Sequence, residues 1–509
     1  MVSPHVTPFR FQPLPLGQCI PASPHAVSCS LPTMRDVHGY EQKDPEITRQ
    51  LTSGYPRFVV HPFARRLAEH WVATLPALAG RTLWLTSSAR MAAAVAGHLG
   101  VAADARVFER NGVFGVSHPA IAAETFSRAK LYLQHVGGFV SSREAEDGLG
   151  QLGLVAAAQP DEAFAGDSLA EVRRHLLKAL PGAAAQDLFI ANSGMNAVHA
   201  AFRAITDLQA ARGRTIWVQL GWLYLDTIAL LKKFTASPAD YVPVLDVFDR
   251  VALARLFDTH GARIAGVISE VPTNPLIQTP DVAALAALCR RHGAKLVLDP
   301  SVSSVVNLDV LAHADAVVGS LTKYTSSEGN VIAGFVAVNP VAADADALRR
   351  GIAGALEPVY PRDLAALAAQ IGRTEEVLAQ IHASVPRVVE FLASHPAIKE
   401  VYWAKRAESR DNFLRMARSP DATGGMVSFT LRGPLDRFYD RVRLPKGPSF
   451  GMKTTLLCPF MYLAHYDLVS TAAGRAELKA QGLDPDLLRL SIGAEPTAEI
   501  IAALAEALA

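Results

Sequence analysis

The chain has 509 residues, half of them hydrophobic, with 49 lysines and arginines against 48 aspartates and glutamates. That length holds two or three domains with cores of their own, and a net charge of +1 offers no electrostatic footprint for nucleic acid or an anionic membrane. No apolar run approaches the ~20 residues that span a bilayer. The four scattered cysteines (Cys19, Cys29, Cys289, Cys458) match neither a metal-ligand spacing nor a disulfide framework, so no metal and a cytoplasmic, reduced protein are expected.

In chain order, residues 1–62 read as an irregular, Pro-rich arm draped over the body. Arg10 is its only charge before Arg35, which fits a transit peptide poorly. Residues 63–160 read as a small α/β unit: an amphipathic helix at 63–75, a strand at 82–85, an Ala-rich helix at 89–99 and a strand at 106–108. Its first part suggests no chemistry.

Residues 161–345 alternate helices with short apolar strands at 188–191, 215–218, 266–269, 295–298, 316–318 and 334–338. That alternation is the mark of an α/β sheet with crossover helices. Residues 346–509 read as a smaller α+β domain. It has helices at 364–381 and 386–394, strands at 425–431 and 488–492, and a closing helix from Thr497.

The chemistry sits where strands end. Asn192-Ser193-Gly194-Met195 follows the first of these strands and opens a helix, so its free N–H groups and the helix dipole suit a phosphate. Trp222 and Tyr224 follow the second strand and are both candidates to stack on a cofactor ring. Asn274, in Glu270-Val271-Pro272-Thr273-Asn274-Pro275, is a polar group at the carboxyl edge, where open α/β sheets bind ligands.

Asp299 ends a further strand, and Gly319-Ser320-Leu321-Thr322-Lys323 ends the next. A strand-end lysine beside two hydroxyls, with an upstream strand-end aspartate, suits pyridoxal 5′-phosphate (PLP). Lys323 would form the Schiff base, Asp299 would hold the ring nitrogen protonated, and Ser320 and Thr322 would close on the phosphate with Ser193. Arg489 is a lone cation in an apolar strand, where it calls for an anion. An amino-acid carboxylate fits its fork, and Glu495 is the local alternative. Ser449, in a Gly-Pro-Ser-Phe-Gly turn, is a candidate for the same cleft.

Taken together, Ser193-Gly194-Met195, Glu270 with Asn274-Pro275, Asp299, Ser320-x-Thr322-Lys323, Ser449 and Leu488-Arg489-Leu490-Ser491-x-Gly493 resemble the cystathionine γ-synthase family of PLP enzymes. The likeness runs from about residue 188 to the C-terminus. Pro24-His25-Ala26-Val27-Ser28, Ser53-Gly54-Tyr55-Pro56-Arg57-Phe58 and Thr455-Leu456-Leu457-Cys458-Pro459-Phe460 extend it over nearly the whole chain, toward the branch typified by long fungal members.

The resemblance implies fold type I (aspartate-aminotransferase-like) and a homo-oligomer, dimer or tetramer, with small amino acids as substrates. It implies γ-replacement on an O-activated homoserine with cysteine to give cystathionine. Sulfhydrylation or cystathionine/methionine lysis by the same fold are the nearer alternatives, and a non-catalytic PLP-fold regulator the farther one. The family also lends a Tyr-x-Arg pair to the phosphate of a neighbouring subunit. Tyr55 and Arg57 keep that pattern, while Arg143 lies closer in sequence to Gly194. Two departures stand out: Pro300-Ser301 follows the aspartate where Asn-Thr is usual, and Trp222-Leu223-Tyr224 replaces the usual Tyr-Gly-Gly-Thr-Tyr.

Overall fold

Ile264–Glu270 is buried at every position, and Lys295–Asp299 at all but the last. Strands without a polar face need cover on both sides, which a parallel sheet with crossover helices supplies. The computed structural model describes residues 9–53, 60–156 and 161–509, and it meets that need with a seven-stranded sheet.

Its strands are β1 (Leu188–Ala191), β2 (Ile216–Leu220), β3 (Tyr241–Val244), β4 (Ile264–Glu270), β5 (Lys295–Asp299), β6 (Ala316–Ser320) and β7 (Gly334–Val338), in the order β1-β7-β6-β5-β4-β2-β3. Only β7 runs against its neighbours. The chain therefore turns back at the carboxyl edge of β6, and Lys323 lies in that turn. The fold is the expected α/β, fold-type I arrangement. Strand β3 escapes the sequence reading because Pro243 interrupts it, which only an edge position such as this one tolerates.

The C-terminal part carries a four-stranded antiparallel sheet of β8 (Ile398–Tyr402), β9 (Met426–Leu431), β10 (Leu456–Pro459) and β11 (Leu488–Ser491), ordered β8-β9-β11-β10. The two helices expected before it divide elsewhere, as Pro361–Ile371 and Thr374–Ser394, with Pro386 inside the second. The stripe Val377, Leu378, Ile381, Val385, Val388 and Leu392 continues through the proline and is buried. At about 1.5–3 kcal/mol per side chain, that burial outweighs the roughly 3 kcal/mol a mid-helix proline costs.

The arm is more ordered than expected. It pairs Cys19–Ile20 with Ser28–Cys29 and forms a helix, Met34–Glu41, whose first turn is closed by a Thr33/Asp36 capping box. It is tied to the C-terminal part by Leu31 N–H to Lys446 O (2.9 Å) and Tyr439 O–H to Leu31 O (2.8 Å).

The next unit has the expected helices (Pro62–Thr74, Ala89–Leu99) and strands (Arg81–Thr86, Arg106–Arg110). It also has a third strand, Val113–Pro119, and the helices Ala123–Val136 and Ser142–Gln151. The helix Ala123–Val136 ends at Gly137, whose φ of +68° suits glycine. A side chain there would collide with Ser193 Oγ, and the Gly137 carbonyl accepts Asn192 Nδ2 at 2.9 Å. The unit thus backs directly onto the turn expected to receive phosphate.

Candidate active site

Three neighbouring strands deliver polar side chains to one point of the carboxyl edge: Glu270 from β4, Asp299 from β5 and Ser320 from β6. Lys323 follows at once. All four line one cavity with Gly194, Met195, Tyr224, Asn274, Ser449 and Arg489. The elements read from distant parts of the sequence therefore meet.

Lys323 is buried, and its Nζ donates to Ser449 Oγ at 2.6 Å while lying 4.7 Å from the centre of the Phe450 ring. Burial, and then the nearby Arg489, bring its pKa down to about 7, so the amine is readily neutral. Tyr324 and Ser449 hold left-handed φ values of +60° and +82° on either side of this contact. The Tyr324 N–H to Gly451 O bond (2.6 Å) latches the lysine turn to the C-terminal sheet domain. Such backbone strain persists only where surrounding contacts fix it.

Asp299 Oδ1 accepts the N–H of Ser301 at 2.8 Å, and burial pushes the carboxyl up to about 6 against that bond. The Ser301 hydroxyl also accepts Ser320 N–H at 2.8 Å, joining the ends of β5 and β6.

Arg489 reaches in from β11. Nη1 donates to Asn274 Oδ1 (3.2 Å) and Nη2 to Ser449 O (3.0 Å), and the guanidinium lies 5.2 and 4.7 Å from the Phe450 and Phe460 rings. Glu495, the alternative partner, is instead bonded to Thr455 N–H (2.8 Å) and Oγ1 (2.7 Å). The guanidinium is left to the cavity.

The N-terminus of the helix Gly194–Ala210 opens on the same cavity, which Gly194 and Met195 line. Ser193 Oγ caps that helix by accepting Asn196 N–H at 3.1 Å. A Cβ on Gly194 would lie 2.9 Å from Ser320 Cβ, so glycine is what lets the two strand ends close. Ser320 Oγ is buried with no hydrogen-bond partner among the described residues. An orphan hydroxyl facing free helix N–H groups fits a phosphate ester. Gly194→Ala is accordingly expected to weaken cofactor binding at least about tenfold and to lower the melting temperature of the apo-protein, because Ser320 must move to admit the methyl group, as read by equilibrium dialysis and calorimetry.

Three expected residues are placed otherwise. Thr322 turns its hydroxyl to the backbone of Ala333 (3.3 and 3.4 Å) rather than into the cavity. Trp222 packs edge-on against His465 at 5.4 Å, which leaves Tyr224 as the aromatic in the cavity. Arg143 is fully buried: Nε and Nη2 bond Asp161 (2.8 and 3.0 Å), and Nη1 bonds Asp363 Oδ1 and Asn330 O (both 2.8 Å). A guanidinium committed to two carboxylates has no fork left for a phosphate. Tyr55 and Arg57 lie outside the described residues.

Sequence reasoning missed the apolar wall of Phe450, Phe460, Leu463 and Ala464. A larger cavity of about 830 Å³ lies beyond Ser193, against the unit of residues 60–156, but Lys323, Asp299 and Arg489 are absent from its walls. No helix among the described residues is long and apolar enough to cross a membrane.

A sequence model of Cys/Met metabolism PLP-dependent enzymes matches residues 169–509. The L-2-amino-4-chloropent-4-enoate dechlorinase/desaturase of Streptantibioticus cattleyicolor is 41% identical over 94% of both chains. The cystathionine gamma-synthase of Neurospora crassa is 27% identical over 97% of this chain and 98% of its own. Among solved structures, cystathionine gamma synthase from Xanthomonas oryzae pv. oryzae in complex with cystathionine superposes with a TM-score of 0.57 at 22% identity. That match covers 70% of this chain and 92% of the other.

Proposed function

The chain belongs to the Cys/Met metabolism PLP-dependent enzymes, and from that premise we propose that it expels a leaving group from Cγ of a short, uncharged α-amino acid. The observation that carries this reading is the apolar wall beyond Lys323. Phe450, Phe460, Leu463 and Ala464 face the cavity, and Lys323 and Arg489 are the only cations among its described lining residues. Arg489 holds one α-carboxylate. A second amino acid such as cysteine brings another carboxylate and ammonium, which are costly to bury without partners. The 41% identical relative acts, by its name, on a small chlorinated amino acid, which such a wall accommodates.

PLP, when bound, supplies the electron sink that makes the Cα proton acidic and lets charge move toward Cγ. The chain's own groups do the rest. Arg489 and Asn274 would orient the carboxylate, Tyr224 would hold the ring, and Asp299 would support the charge of its nitrogen. Lys323 Nζ, neutral near pH 7, takes the Cα proton, gives it up, and then takes a Cβ proton, and the pair left by that Cβ–H bond becomes the Cβ–Cγ double bond as the leaving group departs from Cγ with its own bonding pair. Ser449 steers the amine through the 2.6 Å hydrogen bond. Holding base and substrate together contributes several kcal/mol, roughly 7–11 at most.

A second reading, γ-replacement of an O-activated homoserine by cysteine, is favoured by the 27% identity to the Neurospora crassa enzyme over nearly both full lengths. Either reading includes a cytoplasmic homo-oligomer, measurable by sedimentation. The test offers 2-amino-4-chloropent-4-enoate and O-acetyl-, O-succinyl- and O-phosphohomoserine, each with and without cysteine or sulfide. Release of chloride or acyl group without any thiol is expected. Strictly cysteine-dependent formation of cystathionine would establish the second reading instead, and bound PLP without turnover would point to a regulator.

A further inference from the structure

Glu270 and Asp299 are direct partners in the register of β4 and β5. Neighbouring parallel strands lie about 4.8 Å apart, and paired positions point to the same face. Both carboxyls line the same cavity. From the other packed elements Glu270 is faced by Tyr224 after β2, Lys323 after β6 and Arg489 on β11.

Glu270 is buried. Its Oε1 accepts the backbone N–H of Tyr224, and its Oε2 is buried with no hydrogen-bond partner among the described residues. Two carboxylates cannot both stay ionised so close together in a site shielded from water. The group to carry the proton is the one with an unanswered oxygen, because a buried charge without a donor costs far more than a buried neutral acid. Asp299, by contrast, has the Ser301 N–H to support its charge.

We propose that Glu270 is a positioning residue of the cofactor site, a neutral acid that fixes the Tyr224 turn and leaves Asp299 as the single negative charge opposite the ring nitrogen. Burial and the adjacent Asp299 both push the Glu270 carboxyl well above its ordinary range, in agreement with this assignment. The inference rests on PLP occupying this cavity. Its first test uses apo-protein, so that it can fail independently of the proposed reaction.

The infrared spectrum of the apo-protein at pH 8 is expected to contain the carbonyl stretch of a protonated carboxylic acid, shifted by D₂O and missing in Glu270→Gln. A wild-type spectrum without that band, or a band that persists in Glu270→Gln, overturns the proposal. The second test is cofactor affinity by equilibrium dialysis. Glu270→Ala should bind PLP roughly tenfold more weakly, the loss expected from one buried hydrogen bond. Glu270→Gln should recover most of that, because its amide oxygen still accepts the Tyr224 N–H and carries no charge. A glutamine variant as weak as the alanine variant overturns the proposal. Should either variant fail to fold by circular dichroism, wild-type protein labelled with ¹³C-glutamate decides the matter, since no isotope-shifted acid band at pH 8 would mean that the glutamate is ionised.

Discussion

Lys323→Ala is expected to abolish the visible absorbance of the lysine-bound cofactor and to lower turnover by at least about 10³-fold. The size follows from the double use of one amine. Its burial and the Arg489 charge bring the pKa to about 7, which frees the lone pair for bonding carbon and for moving protons. The Ser449 hydroxyl and the Phe450 face hold Nζ in place, and the latch from Tyr324 to Gly451 fixes the turn beneath it. The variant should still bind PLP non-covalently through Gly194 and Ser320, so dialysis separates lost chemistry from lost binding. In the wild type, rate should rise as pH passes upward through about 7, because the amine is the active base only after it loses its proton. A retained absorbance band in the purified variant would remove Lys323 from its assigned role.

Arg489→Ala is expected to raise KM for the amino acid by roughly 30-fold or more, matching the 2 kcal/mol or greater cost of deleting one partner of a buried charged pair. Arg489→Lys should recover little. A single ammonium cannot span a carboxylate with two parallel N–H bonds while keeping Asn274 and the Ser449 carbonyl as its other partners. The absorbance of the lysine-bound cofactor should survive in both variants, because the role proposed for the guanidinium is to hold the substrate and not the cofactor. A KM within threefold of the wild type, measured by steady-state kinetics, would place the carboxylate elsewhere.

Much of this was legible in the chain because chemistry and burial left local marks. The six sheet strands read from the sequence, five interior ones and the edge strand β1, are almost wholly buried, and burial on both faces requires unbroken apolar runs. Val113–Pro119, the middle strand of the three-stranded sheet, escaped, and so did β3, β8 and β10, which lie at sheet edges. There Pro243, Lys399-Glu400 and Pro459 blur the pattern without disturbing a ladder on the open side.

At the site, Lys323, Asp299, Asn274 and Arg489 were readable because each is a polar residue set in an apolar context. Side-chain direction was not readable. Whether Thr322 faces phosphate or backbone, and whether Trp222 or Tyr224 enters the cavity, depends on rotations that spacing does not encode. Arg143 shows the same limit: closeness to Gly194 in sequence could not reveal that Asp161 and Asp363 had already claimed it.

The seam behind Gly137 bears on how the gene could be trimmed. Glu357 is fully buried, and its carboxylate is answered from outside the matched family region, by Ser87 and Arg90. Asp363 depends on Arg143 in the same way. A fragment starting at residue 161 would strand both acids, at about 3–5 kcal/mol for each severed partner, and strip the backing from Asn192. Progressive N-terminal deletions should therefore yield insoluble protein well before they reach residue 169, where the family match begins.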